Sequence, residues 1–340
     1  MTPVDLRSDT VTRPTADMRR AMAEAELGDD VFGDDPSVNA LQARAAELLG
    51  FERALLFPSG TQSNLAALMS HCGRGDEYLV GQEAHTYRFE AGGGAVLGSI
   101  QPQPLSNRAD GTLDLAEVEA AIKPDDPHFA RTRLLALENT ISGRAIPRPY
   151  LEAAIALAKR RGLGTHLDGA RLFNAAVTLG TRAGDLCRGF DTVSVCLSKG
   201  LGAPAGTLLL GNKDLIERAK RARKILGGAM RQAGLIAAAG LYALEHHVER
   251  LAEDHANAGR LAAGLREAGY ELEGPHTNMV FVRVSPERLS ALNAALAEKR
   301  ISVLPGARLR LVTHLDVDAA GIERALEAFR TAAKQLAPTR

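Results

Sequence analysis

The chain has 340 residues, its 41 Lys+Arg are balanced by 41 Asp+Glu, and 45% of it is hydrophobic. That length allows one large or two medium domains and a substantial core without disulfide staples. A net charge of zero argues against nucleic-acid binding and against a polybasic membrane-surface role, and the composition does not fit collagen, coiled coil or bulk disorder.

Residues up to about Arg20 read as an arm feeding a first helix, and the opening MTPVDLRSDTVTRP is polar, without an apolar stretch of signal-peptide type. A helix runs from Asp35-Pro36 to Gly50, its apolar positions recurring at three and four. Residues 54–57 read as a strand, followed by the turn Pro58-Ser59-Gly60-Thr61 and a helix from Gln62. Further strands are expected over 134–137, 165–167, 192–197 and 207–210, with a helix over 151–161. Strand and helix alternating in this way imply a mostly parallel sheet covered on both faces.

After about residue 212 the pattern turns helical (213–225, 231–244, 247–268). A strand over 279–284, a helix over 286–299, a strand over 308–312 and a last helix ending near Leu336 follow. The expected division is an arm (1–20), a large domain (21–245) and a small C-terminal α/β domain (246–340). The longest apolar run, around 233–244, contains glycines and is too short to span a bilayer. Cys72, Cys187 and Cys196 are odd in number and form no CxxC pattern, which favours a reduced, cytoplasmic setting over a disulfide framework.

Open parallel sheets bind ligands at the carboxyl ends of their strands. The polar groups placed there are Ser59-Gly60-Thr61, Glu138, Asp168 and Lys199. The 59–61 turn is either a simple N-cap or an anion site, where the free N–H groups and dipole of a helix start favour negative charge. Asp168 must be paired to stay charged at the end of a buried strand. It could meet Arg171, a metal beside His166, or a protonated ring nitrogen. Lys199 follows six apolar or small residues, a setting that suits an amine for Schiff-base chemistry. Gly200-Leu201-Gly202 with Gly206 is not a dinucleotide loop: the spacing is wrong, Pro204 interrupts it and a strand follows. One ligand answers a phosphate site, an acid for a ring nitrogen and an amine for an aldehyde, namely pyridoxal phosphate.

With these residues in place, the chain resembles the L-threonine aldolases over nearly its whole length. The resemblance is carried by Asp5-Leu6-Arg7-Ser8-Asp9-Thr10-Val11-Thr12, Gly28-Asp29-Asp30-Val31-Phe32-Gly33-Asp34-Asp35-Pro36, the 58–64 loop, Ala84-His85, His128-Phe129 and Leu137-Glu138-Asn139-Thr140. It continues through 166–171, Leu197-Ser198-Lys199-Gly200-Leu201-Gly202, 227–232 and Arg310-Leu311-Val312-Thr313-His314. It implies the α/β fold of the aspartate-aminotransferase group (fold type I), with a mostly parallel seven-stranded sheet and a small C-terminal domain. It also implies roles. Lys199 would hold the cofactor as a Schiff base, Asp168 its ring nitrogen, and Ser59, Gly60 and Thr61 its phosphate. His85 would stack on the ring. Ser8, Arg171 and Arg310 would hold the substrate carboxylate, a planar group suited to forked donors. His128 would lie near the β-hydroxyl. Lys224 and Arg231 would reach a neighbouring subunit's phosphate region. The implied assembly is a homo-oligomer, a dimer of dimers with active sites at subunit interfaces. The chain departs from the family pattern at Ile141-Ser142 and at Phe32, where some relatives carry Tyr.

The implied reaction is retro-aldol cleavage of threonine or allo-threonine to glycine and acetaldehyde, with His85 or His128 as the base, directly or through water. The rivals are another pyridoxal-phosphate reaction (β-elimination, racemisation or transamination), a metal-dependent aldolase or hydrolase using His85, His166 and Asp168, and a non-catalytic binding protein.

Overall fold

Asp35 starts the helix Pro36–Leu49 by accepting the Val38 N–H, Pro36 fits its first turn, and Gly50 ends it at φ 77°, where a side chain would be strained. Side-chain caps of the same kind, from Thr15, Ser59, Asp114 and Asn212, start four further α-helices. A computed structural model of the chain describes residues 3–334. The expected end of the last helix near Leu336 lies outside them; within them that helix is Ala319–Lys334.

In chain order the strands are β1 (Val4–Asp5), β2 (Arg53–Phe57), β3 (Glu77–Gly81), β4 (Gln101–Leu105), β5 (Thr132–Glu138), β6 (Gly164–Asp168), β7 (Thr192–Cys196) and β8 (Thr207–Gly211). They are followed by β9 (Glu271–His276), β10 (Met279–Arg283), β11 (Ile301–Ser302) and β12 (Arg308–Val312). Among the described residues, seven strands form one sheet in the order β2-β8-β7-β6-β5-β3-β4. All its neighbouring pairs are parallel except those that β8 makes with β2 and β7. Leu79, Leu135, Leu167 and Val193 from its strands are fully buried, as expected of a sheet covered on both faces.

A second, antiparallel sheet (β12-β10-β9) packs with the helices Leu251–Glu267, Pro286–Glu298 and Ala319–Lys334 around Leu261, Val282, Leu311 and Phe329. Val4 and Leu6 join this core, and β1 pairs in parallel with β11. The start of the arm therefore belongs physically to the C-terminal unit. No described helix is long and apolar enough to cross a membrane.

Among the elements outside the sequence-based expectation are β3, β4, β9 and the short helix Leu115–Ala121. β4 reads QPQPL, and its prolines remove two ladder donors, which only an edge strand tolerates. β3 opens with Glu77, fully buried in an ion pair with Lys123. Its polarity hides a core strand.

Candidate active site

β5, β6 and β7 are adjacent and parallel, so the residues that follow them emerge on one edge. Glu138 and Asp168 are register partners there. β2 runs the same way as β7, being two antiparallel steps removed, and delivers Ser59 and Gly60 to that edge. The Ser59 hydroxyl accepts the Gln62 N–H at 3.2 Å and caps the helix Gly60–His71. The nearest atoms to a side chain built on Gly60 would be Cys196 Sγ and Thr207 Oγ1, both at 3.8 Å, so the helix starts over the ends of β7 and β8. Cap and anion site are therefore compatible, because the cap leaves the N–H groups of Gly60 and Thr61 free.

Asp168 is buried, and its partners are not those a local reading suggests. Its Oδ2 accepts from Asn64 Nδ2 at 2.8 Å and its Oδ1 accepts the Ala170 N–H at 3.0 Å. The structural pair of Asp168 with Arg171 is not formed. Arg171 instead gives Nε and Nη2 to Asp9, at 2.8 and 2.5 Å. His166 is not a free metal ligand either. Its Nε2–H donates to Asn64 Oδ1 at 3.2 Å, and its Nδ1 accepts from the Thr192 hydroxyl at 2.9 Å. Burial holds it neutral, its pKa pushed down to about 3. The acid and base atoms that the fold does gather belong to His85, Glu90 and Asp168, within 4.8 Å of one another.

His85 donates from Nδ1 to Glu90 Oε1 at 2.8 Å, and its backbone N–H donates to Glu138 Oε2 at 2.7 Å. The hydrogen bond to Glu90 raises the His85 pKa against the opposing effect of burial. Burial, with Asp168 one strand away, pushes the Glu138 carboxyl up to about 8. The Lys199 side chain bears electrostatically on Asp9, His85 and Glu138, and its carbonyl accepts the Thr12 hydroxyl at 2.9 Å.

A cavity of about 840 Å³ opens beside this edge, lined among others by His85, Glu138, Ser142, Arg171, Phe281 and Arg310. That is ample for an amino acid and a cofactor together. The Arg310 Nε is buried without a partner, while its Nη2 donates to the Arg7 carbonyl at 3.2 Å. Arg310 is therefore not the solvated face residue that its alternating strand suggests. Ser8 caps the short helix Asp9–Val11, accepting from the N–H and hydroxyl of Thr10. Asp9 is fully buried, its pKa drawn down to about 2 by Arg171 against the cost of burial, and it also accepts from Asn278.

The family profile described as "Beta-eliminating lyase" matches residues 5–287. A low specificity L-threonine aldolase of Escherichia coli O157:H7 is 57% identical over 314 residues, covering 92% of this chain and 94% of that one. Low-specificity L-threonine aldolase 1 of Arabidopsis thaliana is 42% identical and covers 98% and 97%. The chain belongs to the L-threonine aldolase family. The solved structure of Leishmania major threonine aldolase shares the fold, with a TM-score of 0.84 at 23% identity over 97% of this chain and 100% of that one.

In this threonine aldolase family member, the edge that carries Lys199 does not carry every expected residue. His128 is exposed, bonded to Asp126, and lies shortly before β5. That segment is docked by Lys123 and Arg131 on Glu77, the first residue of β3. It therefore sits at the amino edge of the sheet, a strand length (roughly 20 Å) from Glu138. Lys224 and Arg231 are exposed, Arg231 paired with Asp29 at 3.2 Å, and neither lines the cavity. Phe32 is 76% exposed. Asn64, Glu90, Asp9 and Asn278 went unsingled in the sequence. They lie on four separate segments, and only their pairing in space, Asn64 with Glu90 and Asn278 with Asp9, marks them.

Proposed function

We propose that this chain is a pyridoxal-phosphate-dependent L-threonine aldolase that cleaves L-threonine, L-allo-threonine and related β-hydroxy-α-amino acids to glycine and an aldehyde. The observation that carries this reading is the meeting of Lys199, Asp168 and the start of the helix Gly60–His71 on one sheet edge, beside a cavity walled by Arg171 and Arg310. The donor set fits the cofactor. Ser59, Gly60 and Thr61 would hold its phosphate, buried Asp168 its ring nitrogen, His85 its ring face and Lys199 its aldehyde. When bound, the cofactor supplies the electron sink for the pair released as the Cα–Cβ bond breaks.

The chain's own residues supply the rest. Asp9 occupies two donors of Arg171 and leaves its remaining N–H groups for the substrate carboxylate. The unpartnered Nε of Arg310 is a second donor for the same group, and the Ser8 hydroxyl a third. Held at the carboxylate, the substrate is fixed in orientation, which contributes much of the rate in such reactions. His85 Nε2 takes the β-hydroxyl proton. Within one chain His128 lies at the other sheet edge, so His85 is the histidine that the same chain supplies for this role.

The two-domain division, the homotetramer and a cytoplasmic location with a role in forming glycine from threonine belong to the same reading. They are supported by a C-terminal core separate from the main core of the large sheet, by exposed apolar side chains and by three buried free cysteines. A second reading, racemisation, is favoured by a 34% identical relative, the alanine racemase TOXG of Cochliobolus carbonum. The test is the visible spectrum of the purified protein and a coupled aldehyde assay with threonine. A yellow band with glycine and acetaldehyde is expected, both band and activity being lost in Lys199→Ala. Persistence of activity in Lys199→Ala overturns the reading, as does D-alanine formed from L-alanine in place of aldehyde.

A further inference from the structure

The carboxylate of Glu90 is buried on the segment between β3 and β4 and shares its Oε1 between two donors, His85 Nδ1 and Asn64 Nδ2, both at 2.8 Å. The Asn64 amide spends its two hydrogens on Glu90 and Asp168. Its carbonyl accepts from His166 Nε2, and His166 Nδ1 accepts from Thr192, which in turn accepts from His71 Nε2 at 2.9 Å. Every tautomer along this chain is thereby set. An amide with both hydrogens committed must accept at its oxygen, so His166 carries its proton on Nε2 and is neutral. At the other end, a carboxylate oxygen can only accept, so His85 carries a proton on Nδ1 and presents Nε2 to the cavity that it lines.

We propose that Glu90 is a positioning residue for His85, fixing its ring and tautomer so that Nε2 exchanges the proton of the substrate's β-hydroxyl, and that Asn64 locks this pair to Asp168. The proposal rests on the aldolase reading and deepens it. A histidine oriented by a carboxylate is a more basic and better directed proton acceptor than a free one. The groups that face His85 are Glu90 on its own segment, Asp168 at the end of β6, Glu138 at the end of β5 and Lys199 after β7. Glu90 and Asp168 favour the imidazolium, and Lys199 opposes it. Removing the Glu90 charge therefore lowers the His85 pKa. The same amide donates to Asp168, the acid that would hold the ring nitrogen, so it ties the orientation of His85 to that of Asp168.

The experiment compares the parent holoenzyme with Glu90→Gln, Glu90→Asp and Lys199→Ala. Its readouts are histidine 15N NMR titration, with His85 assigned by loss of its signal in His85→Asn, and the pH profile of threonine cleavage. In Glu90→Gln the His85 midpoint is expected to fall by about one pH unit. The acid limb of kcat should follow it to lower pH, and kcat should fall by roughly 10- to 100-fold while KM stays within about threefold. Glu90→Asp, which keeps the charge, should recover part of both shifts. An unmoved His85 midpoint in Glu90→Gln overturns the proposal, and so does a lower kcat with an unmoved acid limb, since a purely structural role would give that result. If Glu90→Gln does not fold, Glu90→Asp decides alone: its longer reach to Nδ1 must shift the midpoint, and an unshifted one overturns the proposal. Cleavage retained in Lys199→Ala would overturn the aldolase reading instead, independently of Glu90.

Discussion

Glu138 illustrates how much a single side chain's surroundings change its chemistry. In the sequence it is one of several polar groups at the carboxyl ends of strands, with no role of its own. In the fold it stands beside Asp168 and accepts the His85 N–H, and burial lifts its pKa from 4.5 to about 8. In the unfolded chain it ionises near its ordinary value. The folded state therefore holds the extra proton, and the stability this contributes is full below about pH 4.5 and lost as pH rises through about 8. The cofactor-free protein is accordingly expected to lose melting temperature between about pH 5.5 and 8.5, and Glu138→Gln, which keeps the shape without the charge, should flatten that loss. Thermal unfolding followed by circular dichroism at both pH values checks this. An identical pH slope in the two proteins would sink it.

Among the elements, the helix Gly234–His246 governs where Lys199 stands. It packs on Pro36–Leu49 and on the chain leaving β7, and it does so through Gly240. A side chain there would meet Leu197 Cδ1 at 2.7 Å and Leu41 Cδ2 at 3.0 Å. Leu197 is fully buried and lies two residues before Lys199. Gly240→Val is expected to destabilise the protein by about 1–3 kcal/mol through overpacking. It should also lower cofactor occupancy, by displacing Lys199, the residue proposed to carry the cofactor. Melting temperature and visible absorbance per chain are the measurements, and full occupancy at an unchanged melting temperature would count against it. The same dependence on contact explains β4: its two prolines are acceptable only because β3 alone flanks it.

At the scale of the whole molecule, the balanced charge conceals an uneven one. Arg88, Arg108, Arg144, Arg171, Arg308 and Arg310 all line the large cavity, against only Glu83, Glu138 and Glu273. A small anionic substrate is drawn to such a cleft. Phe32, Val96 and Ile225 are each more than 70% exposed, and Lys224 and Arg231 stand near Ile225 in sequence, away from this chain's own cavity. Side chains of that kind suit a surface covered by another copy. Light scattering coupled to size exclusion is expected to give a multiple of the single-chain mass. Arg231→Ala should raise the cofactor dissociation constant without abolishing the assembly. A monomer that retains full activity would refute the subunit-shared site.

By itself the sequence determined the alternation of strands and helices, the helix boundaries at Asp35 and Gly50, the start of the helix after Ser59 to within two residues, and the placing of Asp168 and Lys199 at the ends of buried strands. These follow from periodicity, capping and turn chemistry, which act over a few residues. The residue order also carried the family resemblance, and with it the roles expected of His85, Arg171 and Arg310. Only the tertiary structure decided which partners these residues have. Arg171 binds Asp9, not Asp168; Asn64 joins Asp168 to Glu90; Arg310 lines a cavity with its Nε buried and unpartnered; His128 is left at the far edge. The pairs of Arg171 with Asp9 and of Asn64 with Asp168 join residues more than a hundred positions apart. Their strength comes from shared burial, which raises the cost of any unpaired charge and so selects one partner from many. No local pattern encodes that selection.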